Sequence, residues 1–150
     1  MFLFKRYLFT LLLTGMFTSS TVAQDKVSEV KVIVNSSVMT VDLSDTQIRR
    51  IFSMRQTVWA DKQPITVIVL SNEHKTHQLF STKILGVFPY QLERIWNKLV
   101  YSGLGDAPIR VSSEAQMLAL ISQRPGAIGY VMTELNRDDV KIVNIVRELD

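Results

Sequence analysis

The chain has no cysteine, and that absence excludes several things at once. No disulfide can brace the fold, so an exported form must be held by its apolar core. A bacterial lipoprotein needs a cysteine at its processing site, so a lipid tether is excluded. Thiol catalysis is excluded as well, and no G-x-S-x-G elbow offers a serine in its place. Histidine is nearly as scarce, with His74 and His77 the only two. Beside Glu73 they make a thin metal set, because a closed zinc site wants four well-fixed ligands. A solvated polar turn is the plainer reading. No catalytic residue, metal site or cofactor is expected, and the chain reads as a non-enzyme.

Long basic runs are also missing. Arg49-Arg50 is the only adjacent basic pair after the N-terminal segment, so the electrostatic stripe of a nucleic-acid binder is absent. That N-terminal segment reads as a secretory signal over residues 1–23. Lys5 and Arg6 precede an apolar run from Tyr7 to Phe17, too short to span a bilayer, and Thr21-Val22-Ala23 places small residues before a cut at Gln24. An uncleaved anchor is the alternative. Cleavage takes two of the 17 basic side chains away, leaving 15 against 14 acidic ones in a domain of 127 residues, 24–150. That length suits one folding unit, located outside the cytoplasm in the periplasm.

What is present alternates between strand and helix signals. Val30–Val34 is β-branched and runs into Asn35-Ser36-Ser37; Ile65–Leu70 is apolar on both faces, as a strand between helix layers would be. Ser44 with Gln47 forms a capping box before Ile48, Ile51 and Phe52, and Ser113 with Gln116 forms a second before Met117, Leu118 and Ile121. Helices are expected over Glu73–Leu85 and Pro89–Val100, the latter covering the sheet with Leu92, Ile95, Trp96, Leu99 and Val100. Short strands are expected at Ile109–Val111 and Ala127–Val131, and one last strand at Val140–Val146. The pattern predicts an α/β fold with a mostly parallel sheet and helices on both faces. Trp96 reads as core, and Trp59 as packing over the sheet edge.

Several segments, taken in order, resemble the phosphate-type periplasmic solute-binding proteins of ABC importers. They are Leu43-Ser44 through Ile51-Phe52, the Trp59, Asp61 and Pro64-Ile65 link, the aromatics Phe80 and Trp96, and Arg124-Pro125-Gly126-Ala127-Ile128-Gly129-Tyr130-Val131. The matches cover about residues 30–131. The resemblance implies a single periplasmic-binding-protein-like lobe, since that family closes two lobes around its ligand and this chain has room for one. It also implies a small phosphate-like oxyanion as ligand and an inner-membrane transporter as partner. In the family the loop after the second strand carries an arginine and a Ser-Gly-Thr triplet; here it is Ser71-Asn72-Glu73-His74-Lys75-Thr76. Thr76 matches the threonine, Lys75 can supply positive charge, and Glu73 opposes an anion.

The expected ligand-binding residues are therefore Ser71, Asn72, His74, Lys75 and Thr76, joined by Asn35, Ser36 and Ser37 after the first strand. Asn35–Ser37 also suit a plain turn. The alternative function is a ligand-free interaction module docking onto a membrane sensor or another envelope partner. A homodimer in which two copies make a clamp is a third arrangement.

Overall fold

A computed structural model describes residues 29–147; the expected leader, residues 1–23, lies outside the described residues. A five-stranded sheet has the order β4-β3-β5-β1-β6, with β1 Lys31–Asn35, β3 Thr66–Leu70, β4 Ile109–Val111, β5 Ala127–Val131 and β6 Val140–Ile142. β3 pairs in parallel with β4 and β5, whereas β1 runs antiparallel to both β5 and β6. Four strands thus point one way and β1 opposes them. The mostly parallel sheet expected from the alternating pattern is present, with an inverted strand that apolar composition could not reveal.

Helices cover both faces. On one lie α1 (Asp45–Phe52), α2 (Lys75–Leu79) with its π-helical continuation Phe80–Leu85, and α3 (Pro89–Tyr101); α4 (Glu114–Gln123) lies on the other. Neighbouring residues of β5 show the division, because successive side chains of a strand point to opposite faces. The Tyr130 ring stacks on Phe80 at 3.8 Å between centroids. A Cβ on Gly129 would meet Ile121 and Met117 of α4 at 2.7 and 2.8 Å, so glycine is what lets that helix approach. Phe52, Phe80, Trp96 and Tyr130 are fully buried, and the Trp96 indole donates to the Phe52 carbonyl at 2.9 Å.

Caps form where serine and glutamine predict them. Ser44 Oγ accepts from the Gln47 N–H, and Gln47 Oε1 accepts in return from the Ser44 N–H. At α4 only half of the box is made. Ser113 accepts from the Gln116 N–H, but the Gln116 side chain turns to the N–H and hydroxyl of Ser112. α3 also departs from its expected role. Leu92 and Trp96 are buried, Ile95 and Leu99 half-buried and Val100 exposed, so only the first half of its apolar stripe covers the core.

The C-terminal segment expected as one strand is two. Val143 is buried and donates its N–H to the Val32 carbonyl, and Asn144–Val146 (β7) then pairs in parallel with Asp42–Ser44 (β2) in a separate two-stranded sheet. A continuous β-branched run carries no mark of the point at which it changes partner. Among the described residues no helix is long and apolar enough to cross a membrane.

Candidate functional site at the strand exits

Because β3, β4 and β5 are parallel, their C-terminal ends and the loops that follow share one edge of the sheet, the edge where ligands of open α/β sheets gather. Three loops meet there. The β3 exit carries Ser71–His74 and the first turn of α2, the β4 exit leads through Ser112-Ser113 into α4, and the β5 exit carries Met132 and Thr133.

The centre of this rim is the carboxylate of Glu114, the first residue of α4. Its Oε1 accepts from the Thr76 hydroxyl at 2.5 Å. Its Oε2 accepts from the Met132 N–H at 3.1 Å, the Thr133 N–H at 2.9 Å and the Thr133 hydroxyl. Two consecutive backbone N–H groups aimed at one oxygen form an anion-holding concavity. Burial pushes the Glu114 carboxyl up, but the hydrogen bonds from Thr133, Thr76 and Met132 outweigh it and hold the group below its ordinary value. One anionic side chain thereby joins the exits of all three strands.

The other expected residues of the β3 loop line the same rim. His74 caps α2, its Nδ1 accepting from the Thr76 N–H at 3.2 Å. Asn72 donates to Glu93 of α3 at 3.3 Å, while its own Oδ1 is buried without a partner. Glu93 is held below its ordinary value chiefly by the hydrogen bond from Arg110 of β4, and that guanidinium lies 5.7 Å from the Trp96 ring centre. Lys75 is exposed and Ser71 half-buried. His77, one residue beyond Thr76, turns inward and is fully buried, so the two histidines do not share a face. Among the described residues no group of three His, Asp or Glu side chains could hold a metal ion.

Asn35, Ser36 and Ser37 lie elsewhere. β1 opposes β5 with Val34 across from Ile128, so these residues sit at the end where β5 begins, remote from Thr133. The Asn35 amide donates to the carbonyls of Ile121 and Ser122 at 2.6 and 3.0 Å, and its oxygen accepts from the Ser37 N–H. Ser36 donates its N–H to the Asp139 carbonyl. Ser37 Oγ accepts from the Gly126 N–H at 3.1 Å. The structure therefore joins Thr76 to Glu114 and Thr133, leaves Ser71–Lys75 on the same β3 exit, and keeps Asn35–Ser37 apart from them.

That second end also gives the quoted motifs a physical role. The Trp59 indole donates to the Gly126 carbonyl at 3.0 Å, and Gly126 has φ +75° with room for a Cβ denied by the Pro64 carbonyl at 2.2 Å. The tryptophan, proline and glycine motifs thus interlock where β5 begins.

No protein-family model matches the chain, and no curated protein matches it. Solved structures do. One from Clostridium perfringens, assigned as a phosphate ABC transporter substrate-binding protein and holding bound phosphate, superposes with a TM-score of 0.62 at 20% identity, over 77% of this chain and 44% of that one. An ABC-type phosphate transport receptor from Vibrio cholerae gives 0.57 at 18% identity, over 77% and 45%. PstS from Borrelia burgdorferi gives 0.53 at 14%, over 68% and 39%. The chain has the fold of one periplasmic-binding-protein-like lobe. It spans less than half the length of these structures, and at such identities the likeness is one of fold.

The sequence reading names Thr76 as an expected ligand residue but does not name Glu114, to which its hydroxyl donates. Glu114 reads as an ordinary acidic residue in the first turn of a helix, a position the helix dipole favours anyway. Nothing local announces that a residue 38 positions away will donate to it. Thr133 carries even less signal, being a polar residue just past a strand. A groove of about 610 Å³ flanks Lys31 and Arg49 and includes none of the Ser71–Thr76, Glu114 or Thr133 residues.

Proposed function

We propose that this chain is an exported, non-catalytic solute-binding-type lobe whose ligand edge is the rim at the exits of β3, β4 and β5. The ligand is a small phosphate-like oxyanion, and the ligand-binding residues are Ser71, Asn72, His74, Lys75 and Thr76. The observation that carries the reading is the convergence of hydroxyl and backbone donors on one anionic group at this rim. Neutral aligned donors hold an oxyanion without needing a full counter-charge. Lys75, exposed and adjacent to Thr76 in the chain, supplies a positive charge that the donors lack. The bound phosphate of the Clostridium perfringens structure supports the choice of ligand class.

The test is thermal melting of the chain from Gln24 onward in rising phosphate or sulfate at constant ionic strength. A ligand at 100 times its dissociation constant adds about 2.7 kcal/mol of stability, which for a domain of this size raises the melting temperature by roughly ten degrees. Lys75→Ala and Thr76→Ala are expected to remove the shift. A melting temperature indifferent to every anion sinks the reading. Export is checked separately by mass: the form recovered outside the cytoplasm of a bacterial host should lack residues 1–23.

A second reading is favoured by the exposed apolar surface of α3. Phe88 and Tyr90 stack at 5.9 Å at its start, and Tyr101 and Leu104 stand 89% and 80% exposed at its end. Such surface marks interfaces, so docking onto an inner-membrane transporter or sensor, or onto a second copy, is the reading that remains if no anion binds. Sizing in solution separates the last case by mass.

A further inference from the structure

We propose that the Glu114 carboxylate is a built-in occupant of an oxyanion site, and that free oxyanions must displace it to reach the donors of Thr76, Met132 and Thr133. The proposal rests on the solute-binding reading for the class of ligand, but its geometry stands alone. Four donors from the first turn of α2 and from the loop after β5 surround the carboxylate, and none of them is cationic. Three of the four converge on a single oxygen. That concentration of donors on one atom is more than a helix-start carboxylate needs, since its own helix supplies N–H groups nearby.

The occupant is tethered, and this sets the strength of the competition. A group on the same chain competes at an effective concentration of millimolar or more, so a free anion meets a site that is nearly always filled. Glu114 is half-buried, with Thr133 exposed at its side, so solvent anions can reach the position once the side chain swings away. Charge acts in the same direction. An ionised Glu114 that has left the donors still repels an arriving anion across the few ångströms of the rim.

Vacating the site and neutralising it are separable. Glu114→Ala removes the occupant, whereas Glu114→Gln removes the charge and leaves an acceptor oxygen in place. Inorganic phosphate and acetate are the probes, followed by thermal melting and by the amide ¹H–¹⁵N shifts of Met132 and Thr133. Glu114→Ala should bind phosphate at least about tenfold more tightly than the native chain, with both amides moving, and acetate should restore part of its lost melting temperature. Glu114→Gln should gain much less. Equal gains in the two variants would reduce the effect to repulsion and overturn the proposal.

Glu114→Ser is a second vacated variant should the alanine form unfold. A chain that folds only with phosphate or acetate supports the proposal, and a loss of fold that neither anion restores overturns it. Native binding that stays unchanged in the vacated variants keeps the solute-binding reading and refutes the tethered occupant. Binding confined to the vacated variants does the reverse.

Discussion

The phenol oxygen of Tyr130 lies 2.5 Å from Nδ1 of His77, and the same oxygen accepts from the Leu70 N–H at 3.0 Å. Both side chains are fully buried. The arrangement that leaves fewest groups unmatched has the phenol donating to Nδ1, which puts the imidazole proton on Nε2. Nε2 is buried without a partner, so one unmatched group remains. This contact fixes the end of β3 to β5 directly beneath the rim that holds Glu114.

Stability should therefore rise with pH through the mildly acidic range. Burial, reinforced by Arg110, lowers His77 from 6.5 to about 4. Below 6.5 the unfolded chain takes up a proton that the folded chain refuses, so the contribution is complete above 6.5 and is lost as pH falls toward 4. The size over that window is roughly 3 kcal/mol. Urea midpoints at pH 4.5 and 7 should differ far less in His77→Gln than in the native chain. Equal slopes would mean that His77 is not the titrating group, leaving the carboxyls of Glu93 and Glu114 to account for the effect.

Tyr130→Phe should cost about 3 kcal/mol while changing little in shape. It leaves the Leu70 N–H and His77 Nδ1 buried without partners, each worth about 1–3 kcal/mol. The stacked ring on Phe80 stays, so the near-ultraviolet signature of the packed core should persist although the urea midpoint falls. A loss under 1 kcal/mol would show that water reaches both groups.

Local signals and long-range consequences separate cleanly along this chain. Strands β4 and β5 and the start of α3 fall where Ile109, Ala127 and Pro89 place them, because apolar runs and caps act within a few residues. The antiparallel insertion of β1, the switch at Val143 and the Glu114 contact all depend on pairings between distant segments. The same limit governs the candidate site. Thr76 stands out in the sequence only through its match to the threonine of the family's Ser-Gly-Thr triplet, whereas Glu114 and Thr133 come together with it only when three strand exits are brought to one edge.

Gly126→Ala and Gly129→Ala should differ sharply. At Gly126 the new Cβ meets the Pro64 carbonyl at 2.2 Å, a backbone atom that cannot swing away, and φ of +75° adds left-handed strain. At Gly129 the clash is with the ends of the Ile121 and Met117 side chains, which can repack. The first change should cost at least about 3 kcal/mol and the second about 1–3 kcal/mol, read as urea midpoints. Trp59→Phe, which forfeits the indole bond to the Gly126 carbonyl, should fall between the native chain and Gly126→Ala.

Asn35 provides the contrast that separates scaffold from ligand edge. Its amide donates to the Ile121 and Ser122 carbonyls, two of the groups that the end of α4 leaves without helical partners. Asn35→Ala should cost about 2–3 kcal/mol for the lost bonds and the two carbonyls left without a donor. Asn35→Asp should cost more, because a carboxylate would face two carbonyl oxygens. Neither change touches the donors around Glu114, since Asn35 lies where β5 begins and Thr133 where it has ended. Phosphate titrations of Asn35→Ala, carried out where it is still folded, should give the native affinity. A tenfold loss there would return Asn35–Ser37 to the ligand site and mean that the two ends of the sheet act on one ligand.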